Sequence, residues 1–265
     1  MKLAFSTLGV PGLPVPSVVR LAAEHGYHGV ELRAGHEEPV HSGSTERRRA
    51  EVSDLFRGAG VAVVSVASSV RVAAPGEDAP VLRALRDHVR LAADLGASFV
   101  RVFPGAGEDD GDAADTRAAR RLAAVAAQAA DTGVRVLVET HDSHRTGAEV
   151  ARILGLVGHH HVGALWDVLQ PWLGGEQPEH TYPVLAPYLG YVRVKDATSA
   201  QDTTPLPLGL GALPLAGTVE VLSRAGWDGW LCWEYEKRRY PQVRALPELL
   251  SRGRSHLLRL LGESA

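Results

Sequence analysis

The runs "SFVRVFPG" (residues 98–105) and "VRVLVET" (134–140) stand on either side of "DTRAARRLAAVAAQAADTG" (115–133). The two flanking runs are short, rich in valine and alternate along the chain, which is strand patterning. The middle run carries Ala, Leu and Val at helical spacing and stops at Gly133, a residue suited to a helix C-terminus. A strand, a long helix and a second strand imply two parallel strands joined by a crossover. The same unit recurs. "KLAFST" precedes "VPSVVRLAAEHG", "GVELR" a helix around 45–58, and "VAVVSVAS" the run "PVLRALRDHVRLAADLGA". Beyond residue 134, "VRVLVET", "VGALWD", "GYVRVKD" and "GWLCWEYE" are each followed by a helix, the last two of these helices being "PLAGTVEVLSRAG" and a segment around 243–262. The sum is eight strands alternating with eight helices.

Eight such units in 265 residues fit a single closed (β/α)8 barrel, α/β in class, spanning residues 1–265 as one domain. An open doubly wound sheet would carry a glycine-rich phosphate turn after its first strand. Here "TLGVPGLPVP" puts prolines where such a turn needs free N–H groups, and "GLGAL" (209–213) has neither a preceding strand nor a helix start behind it.

Composition narrows the class further. Hydrophobic residues make up 45% and charged residues 22% of the chain, as in globular proteins. The net charge of −3 and the absence of long basic runs other than "RRR" (47–49) argue against a nucleic-acid partner. Cys232 is the sole cysteine, so neither an intrachain disulfide nor a cysteine-built zinc site can form. The opening "MKLAFSTLGVPG" has too short an apolar run for a signal peptide and reads as the first strand, and no run approaches a membrane span. The chain is expected to be cytoplasmic and soluble, with a small molecule as its partner, no membrane and no nucleic acid. The oligomeric state is left open, a homodimer being one option.

In a barrel the chemistry sits at the C-terminal ends of the strands. Those ends here carry Glu31 and Arg33 (strand 2), Arg101 (strand 4), Glu139 and then His141 (strand 5), Asp167 (strand 6), Arg193, Lys195 and Asp196 (strand 7), and Glu234 and Glu236 (strand 8). Alternation groups Leu137, Glu139 and His141 on one face, Tyr191, Arg193 and Lys195 on one face, and Cys232, Glu234 and Glu236 on one face. Strands 5, 6 and 8 therefore each aim a carboxylate at the mouth. Converging carboxylates repel unless a cation lies among them or some are protonated. A divalent metal or a basic side chain would serve.

The blocks "VLVETHDS" (136–143), "VGALWDVLQPWLGGEQP" (162–178), "YVRVKDA" (191–197) and "GWDGWLCWEYEKR" (226–238), with "GYHGVELRA" (26–34), resemble the xylose-isomerase-like barrel superfamily of sugar and sugar-phosphate isomerases and epimerases. The resemblance implies a divalent metal (Mn, Mg or Co) held at Glu139, Asp167, Glu234 and the position of Arg193. It also implies that Glu139 and Glu234 act as a catalytic acid/base pair. A histidine usual to such enzymes falls at Gln170, and a usual Gly-Glu-Gly is "GLG" (209–211) with Leu210 at its centre. Arg193 is the severe departure, since a guanidinium has no lone pair for a metal and stays charged. Two expectations follow. Either Arg193 fills the metal's place, with one carboxyl protonated or paired with Lys195. Or Arg193 swings aside onto an anionic substrate and a metal persists, with His141 or Gln170 as substitute ligand.

Other groups have local readings. His141 is placed to meet a substrate hydroxyl or to hydrogen-bond in support. Arg101 is placed to hold a carboxylate or phosphate or to form a core ion pair, and Lys195 to meet substrate or salt-bridge a barrel carboxylate. Glu31 and Arg33 are placed to contact substrate or, as the plainer expectation, to pair with each other. "GHHHVG" (158–163) precedes strand 6 and reads as a polar turn at the barrel's bottom. Trp166, Trp233 and Tyr235 read as packing against helices. The expected function is isomerisation or epimerisation of a small polyhydroxylated carbonyl compound. The alternatives are a metal-independent lyase, dehydratase or cyclase on a non-sugar substrate with Arg193 in the metal's place, and a barrel that binds without turnover. Abasic-site cleavage, known in relatives of this barrel, is disfavoured by the few His at strand ends.

Overall fold

The computed structural model describes residues 1–109 and 111–262. Eight parallel strands close into a barrel: β1 (Lys2–Ser6), β2 (Gly29–Arg33), β3 (Ala62–Arg71), β4 (Phe99–Phe103), β5 (Arg135–Glu139), β6 (Val162–Asp167), β7 (Leu189–Val194) and β8 (Trp230–Trp233). Closure is made by β1 and β8, with Lys2 opposite Trp230 and Phe5 opposite Trp233. Within the barrel every strand is paired on both sides, so it has no open edge, and a separate two-stranded antiparallel ladder joins Asp196–Ala197 to Pro205–Leu206.

Nine helices are found among the described residues: α1 (Val15–Glu24), α2 (Glu46–Gly58), α3 (Asp78–Leu95), α4 (Asp112–Thr132), α5 (Gly147–Val157), α6 (Leu169–Leu173), α7 (Pro178–Leu185), α8 (Leu215–Arg224) and α9 (Leu250–Leu260). The short α6 is an addition to the eight expected from sequence. α9 starts later than the expected position near 243, because Pro247 sits in a 3₁₀ turn (Leu246–Glu248) and proline removes the N–H a longer helix would need. α5 opens with a capping box, Thr146 and Glu149 each accepting from the other's backbone N–H. Among the described residues, no helix is long and apolar enough to cross a membrane.

Strand alternation divides the apolar residues into two cores. Val100, Val102, Val136, Val138, Val192 and Val194 face outward into the layer between strands and helices. Trp166, Trp233 and Tyr235 lie in that layer, as expected for packing residues. Ala4, Val64, Leu137, Leu165, Tyr191 and Cys232 fill the barrel's interior. This inner plug closes the barrel from below, so polar side chains one step further along each strand can meet only at the C-terminal mouth.

Candidate active site

The inward positions that follow the plug are Glu31 on β2, Arg101 on β4, Glu139 on β5, Asp167 on β6, Arg193 on β7 and Glu234 just beyond β8. All are buried. Arg193 is the centre of the group. Its Nη1 donates to Glu139 Oε1 at 2.5 Å and stands 3.1 Å from Glu234 Oε1 and 3.7 Å from Asp167 Oδ2. Its Nη2 donates to Glu31 Oε2 at 2.7 Å, an oxygen that also accepts from the Tyr191 hydroxyl. Beside it, Lys195 Nζ lies 2.7 Å from Asp167 Oδ2, 3.6 Å from Glu236 Oε1, and donates to Glu234 Oε2. Arg101 stacks on Phe103 with 3.9 Å to the ring centre, donates to the Ser68 carbonyl at 2.7 Å, and brings Nε to 3.1 Å from Glu139 Oε2 without hydrogen-bond alignment.

Four buried carboxylates thus face three cations, Arg101, Arg193 and Lys195. The imbalance falls on one group. Burial pushes the Glu139 carboxyl up, and the pull of Arg193, Arg101 and His141 does not bring it back. Burial also acts on Glu31 and Glu234, but Arg193 holds Glu31 below the usual carboxylate value, and Arg193 with Lys195 holds Glu234 at about 2. Lys195 is itself raised, burial being outweighed by Asp167 and Glu234. The cluster is a proton-poor salt-bridge lattice with one acid, Glu139, that favours keeping its proton.

Above this floor lies a cavity of about 310 Å³ lined by Arg101, Glu139, His141, Arg193 and Glu234, with Leu8, Phe103 and arginines of the rim. His141 stacks on Phe103 at 4.6 Å and bonds Asp142 at 3.3 Å. Partial burial disfavours its charge, but Asp142 and Glu139 win and its pKa is raised.

The structure brings Glu139, Asp167, Arg193, Glu234, Arg101 and Lys195 into one network and His141 to its upper edge. Two expectations, for Gln170 and for the Glu31–Arg33 pair, are corrected. Gln170 is half-buried on α6 and is not among the residues lining the cavity, because the short helix turns away after Asp167. Lys195 takes the salt-bridge reading, paired with Asp167 and Glu234, and is not on the lining either. Glu31 does not pair with Arg33: it joins Arg193 and Tyr191, while Arg33 Nε donates to Glu38 at 3.0 Å. Glu31 is named from sequence as a strand-end group but missed as a member of the carboxylate cluster, although it lies on β2 in the same inward phase that Glu139 has on β5. Phe103, also missed, is the aromatic wall. Asp196 does not reach the network. It accepts the amides of Ala197, Gly209, Gly211 and Leu213 and so organises the "GLG" loop.

A divalent cation does not fit the place that the resemblance implies. The guanidinium of Arg193 stands between its would-be ligands and offers no lone pair. Among the described residues, no group of three or more His, Cys, Asp or Glu side chains is arranged to hold a metal. The stacked rings of His159 and His160, 4.9 Å apart, belong to the turn before β6 at the opposite end of the barrel.

Known proteins share this architecture. A family model for the xylose isomerase-like TIM barrel matches residues 19–259. No curated protein matches the sequence. Among solved structures, the IolI protein with a bound zinc atom superposes with a TM-score of 0.85 at 16% identity, over 99% of this chain and 98% of that one. D-psicose 3-epimerase, solved in the presence of D-fructose, gives 0.82 at 14% identity over 99% of this chain and 100% of the other. The probable 3-DHS dehydratase AsbF of Bacillus anthracis, involved in petrobactin synthesis, gives 0.82 at 18% identity over 97% and 98%. Identities this low carry the fold and leave the reaction to the residues at the mouth.

Proposed function

The chain belongs to the xylose isomerase-like TIM barrel family, and from that premise we propose that it is an isomerase or epimerase of a small hydroxylated carbonyl compound that works with guanidinium charge in the metal's place. The observation that carries this reading is Arg193, buried between Glu139 and Glu234 on the cavity floor. A fixed cation there offsets the acids without a metal and leaves one of them able to exchange a proton.

Glu139 is the proton-transferring base. Its Oε2 has no aligned hydrogen bond, and a carboxylate with a raised pKa is a stronger base than an ordinary one. It takes the proton from the carbon beside the carbonyl, and the electron pair of the C–H bond moves onto the carbonyl oxygen. Arg101 meets that oxyanion: its Nη2 makes no hydrogen bond among the described residues, and the side chain lines the cavity. His141, favoured as imidazolium by Asp142, returns a proton to the other face of the same carbon in epimerisation. In isomerisation it protonates the former carbonyl carbon while the hydroxyl proton of the adjacent carbon passes to the first oxygen, which rebuilds the carbonyl one carbon along. Exchange with solvent then resets Glu139 and His141. Glu234, expected from the resemblance to share the acid/base work, is locked by Lys195 and Arg193 and serves as fixed negative charge instead.

The test is proton exchange in heavy water, followed by NMR over a panel of ketoses and hydroxy-carbonyl compounds with chelator present. The expected result is deuterium at the carbon beside the carbonyl, at a rate unchanged by chelator. Glu139→Gln should lower that rate by at least ~10²-fold. Undiminished exchange in that variant would overturn the assignment. Release of water from the substrate in place of exchange would mark the lyase alternative. Ligand-induced stabilisation with no turnover would mark a binding barrel.

A further inference from the structure

We propose that the rim of the same cavity is an anion subsite, in which Arg33 and Arg239, with Arg238 as bracing charge, receive a carboxylate or phosphate group carried by the substrate away from its reacting carbon. This rests on the reading of the cavity as the place where substrate sits, and it names the class of substrate that reading leaves open.

The rim is built differently from the floor. All three arginines line the cavity, but none touches the buried cluster except through Glu236, which lies 3.7 Å from Arg239. Arg33 ends β2, and Arg238 lies in the loop after β8, on the far side of β1. The two nonetheless converge on one oxygen: Glu38 Oε1 accepts from Arg33 Nε at 3.0 Å and from Arg238 Nη1 at 2.6 Å. Glu38 is almost wholly buried, its side chain 5% exposed, so the carboxylate is a fixed part of the wall. It holds two guanidinium groups close together against their mutual repulsion.

Two of the three keep free donors, whereas Arg238 is committed to acids, donating Nη1 to Glu38 Oε1 and Nη2 to Glu37 Oε2, and so braces the site without offering it a free terminal nitrogen. Arg33 spends only Nε; its Nη1 and Nη2 bond nothing among the described residues, and its side chain is 29% exposed on the cavity. Arg239 is 75% exposed and held only by the loose contact to Glu236. Free terminal guanidinium nitrogens lining one cavity match the oxygens of a carboxylate or a phosphate. The cavity is at the small end of ligand sites, so one such group at the rim and one carbonyl over Glu139 would fill it.

The experiment is calorimetric titration of the full chain with inorganic phosphate, with malonate and with xylitol, at constant ionic strength. One equivalent of phosphate or malonate is expected to bind and xylitol not to bind. The tighter of the two anions identifies the group as phosphate or carboxylate. Arg33→Gln and Arg239→Gln should each weaken binding by about 10- to 100-fold, the cost of losing a charge-assisted bond. Should Arg33→Gln fold poorly for want of a partner for Glu38, the double variant R33Q/E38Q removes both charges and should show the same loss. Arg47→Gln, on the exposed face of α2, should change nothing. Failure of both anions to bind would overturn the proposal. So would binding that survives R33Q/E38Q and R239Q, or that R47Q weakens equally. Arg33-dependent anion binding without proton exchange on any carbonyl compound would leave the subsite standing and sink the isomerase reading. Equal turnover of neutral and anionic substrates would do the reverse.

Discussion

Arg193 is one positive charge shared by four buried carboxylates, so its removal leaves them facing one another. Arg193→Ala should cost about 3–5 kcal/mol in urea denaturation, the range for breaking a buried ion pair from one side. Arg193→His is the more telling change. It replaces the guanidinium with a nitrogen that has a lone pair, beside Glu139, Asp167 and Glu234. That variant should bind one equivalent of manganese and gain thermal stability from it, whereas the unaltered chain should show no such site. Stoichiometric manganese uptake by the unaltered chain at these carboxylates would refute the substitution of arginine for metal. The two glutamates should also separate. Glutamine resembles a protonated carboxyl, the form Glu139 favours and Glu234 resists. Glu139→Gln should therefore cost less than Glu234→Gln, which should cost about 3 kcal/mol in the same measurement.

At the scale of elements, the loops above the strands decide what the mouth looks like. Asp196 ties down the segment from 205 to 213 through three amides, at 2.8 Å from Gly209, 2.9 Å from Gly211 and 3.3 Å from Leu213, and also accepts from its neighbour Ala197 at 3.0 Å. Gly211 is close-fitted: a Cβ there would come within 2.2 Å of Asp196 Oδ1 and 2.3 Å of the Ala197 carbonyl oxygen. Asp196→Ala should lower stability by about 2–3 kcal/mol and raise hydrogen exchange at Gly209, Gly211 and Leu213, with the amides of β5 still protected. Protection unchanged in the loop would show that other contacts hold it. These roles differ in how far the sequence displays them. The start of α5 is legible, because Thr146 and Glu149 make a local capping box. The task of Asp196 is not, since its three partners in the loop lie 13 to 17 positions away along a segment with no periodicity.

At the scale of the whole molecule, the buried cluster sets how the protein responds to pH. Glu234 is depressed from 4.5 to about 2, so the stability it contributes is present above 4.5 and is lost as pH falls toward about 2. Glu31 acts in the same sense. Glu139, raised, acts in the opposite one: its contribution is present below 4.5 and is lost as pH rises through its folded value. Melting temperature should therefore drop steeply on acidification between 4.5 and 2, and Glu234→Gln should flatten that limb. Turnover should rise with ionisation of Glu139 above the usual carboxylate range and fall with loss of the His141 proton above 6.5. His141→Gln should abolish the alkaline limb of the pH–rate profile. Barrel, strand phase and the meeting of Glu139, Asp167, Arg193 and Glu234 follow from the order of residues alone, because helix and strand periods are local and a strand of known phase sends its side chains to a known face. Which acid takes which cation does not follow. Arg193 and Glu31 are 162 positions apart and Arg238 and Glu38 are 200 apart, so only the closed barrel fixes the distances on which their attraction depends.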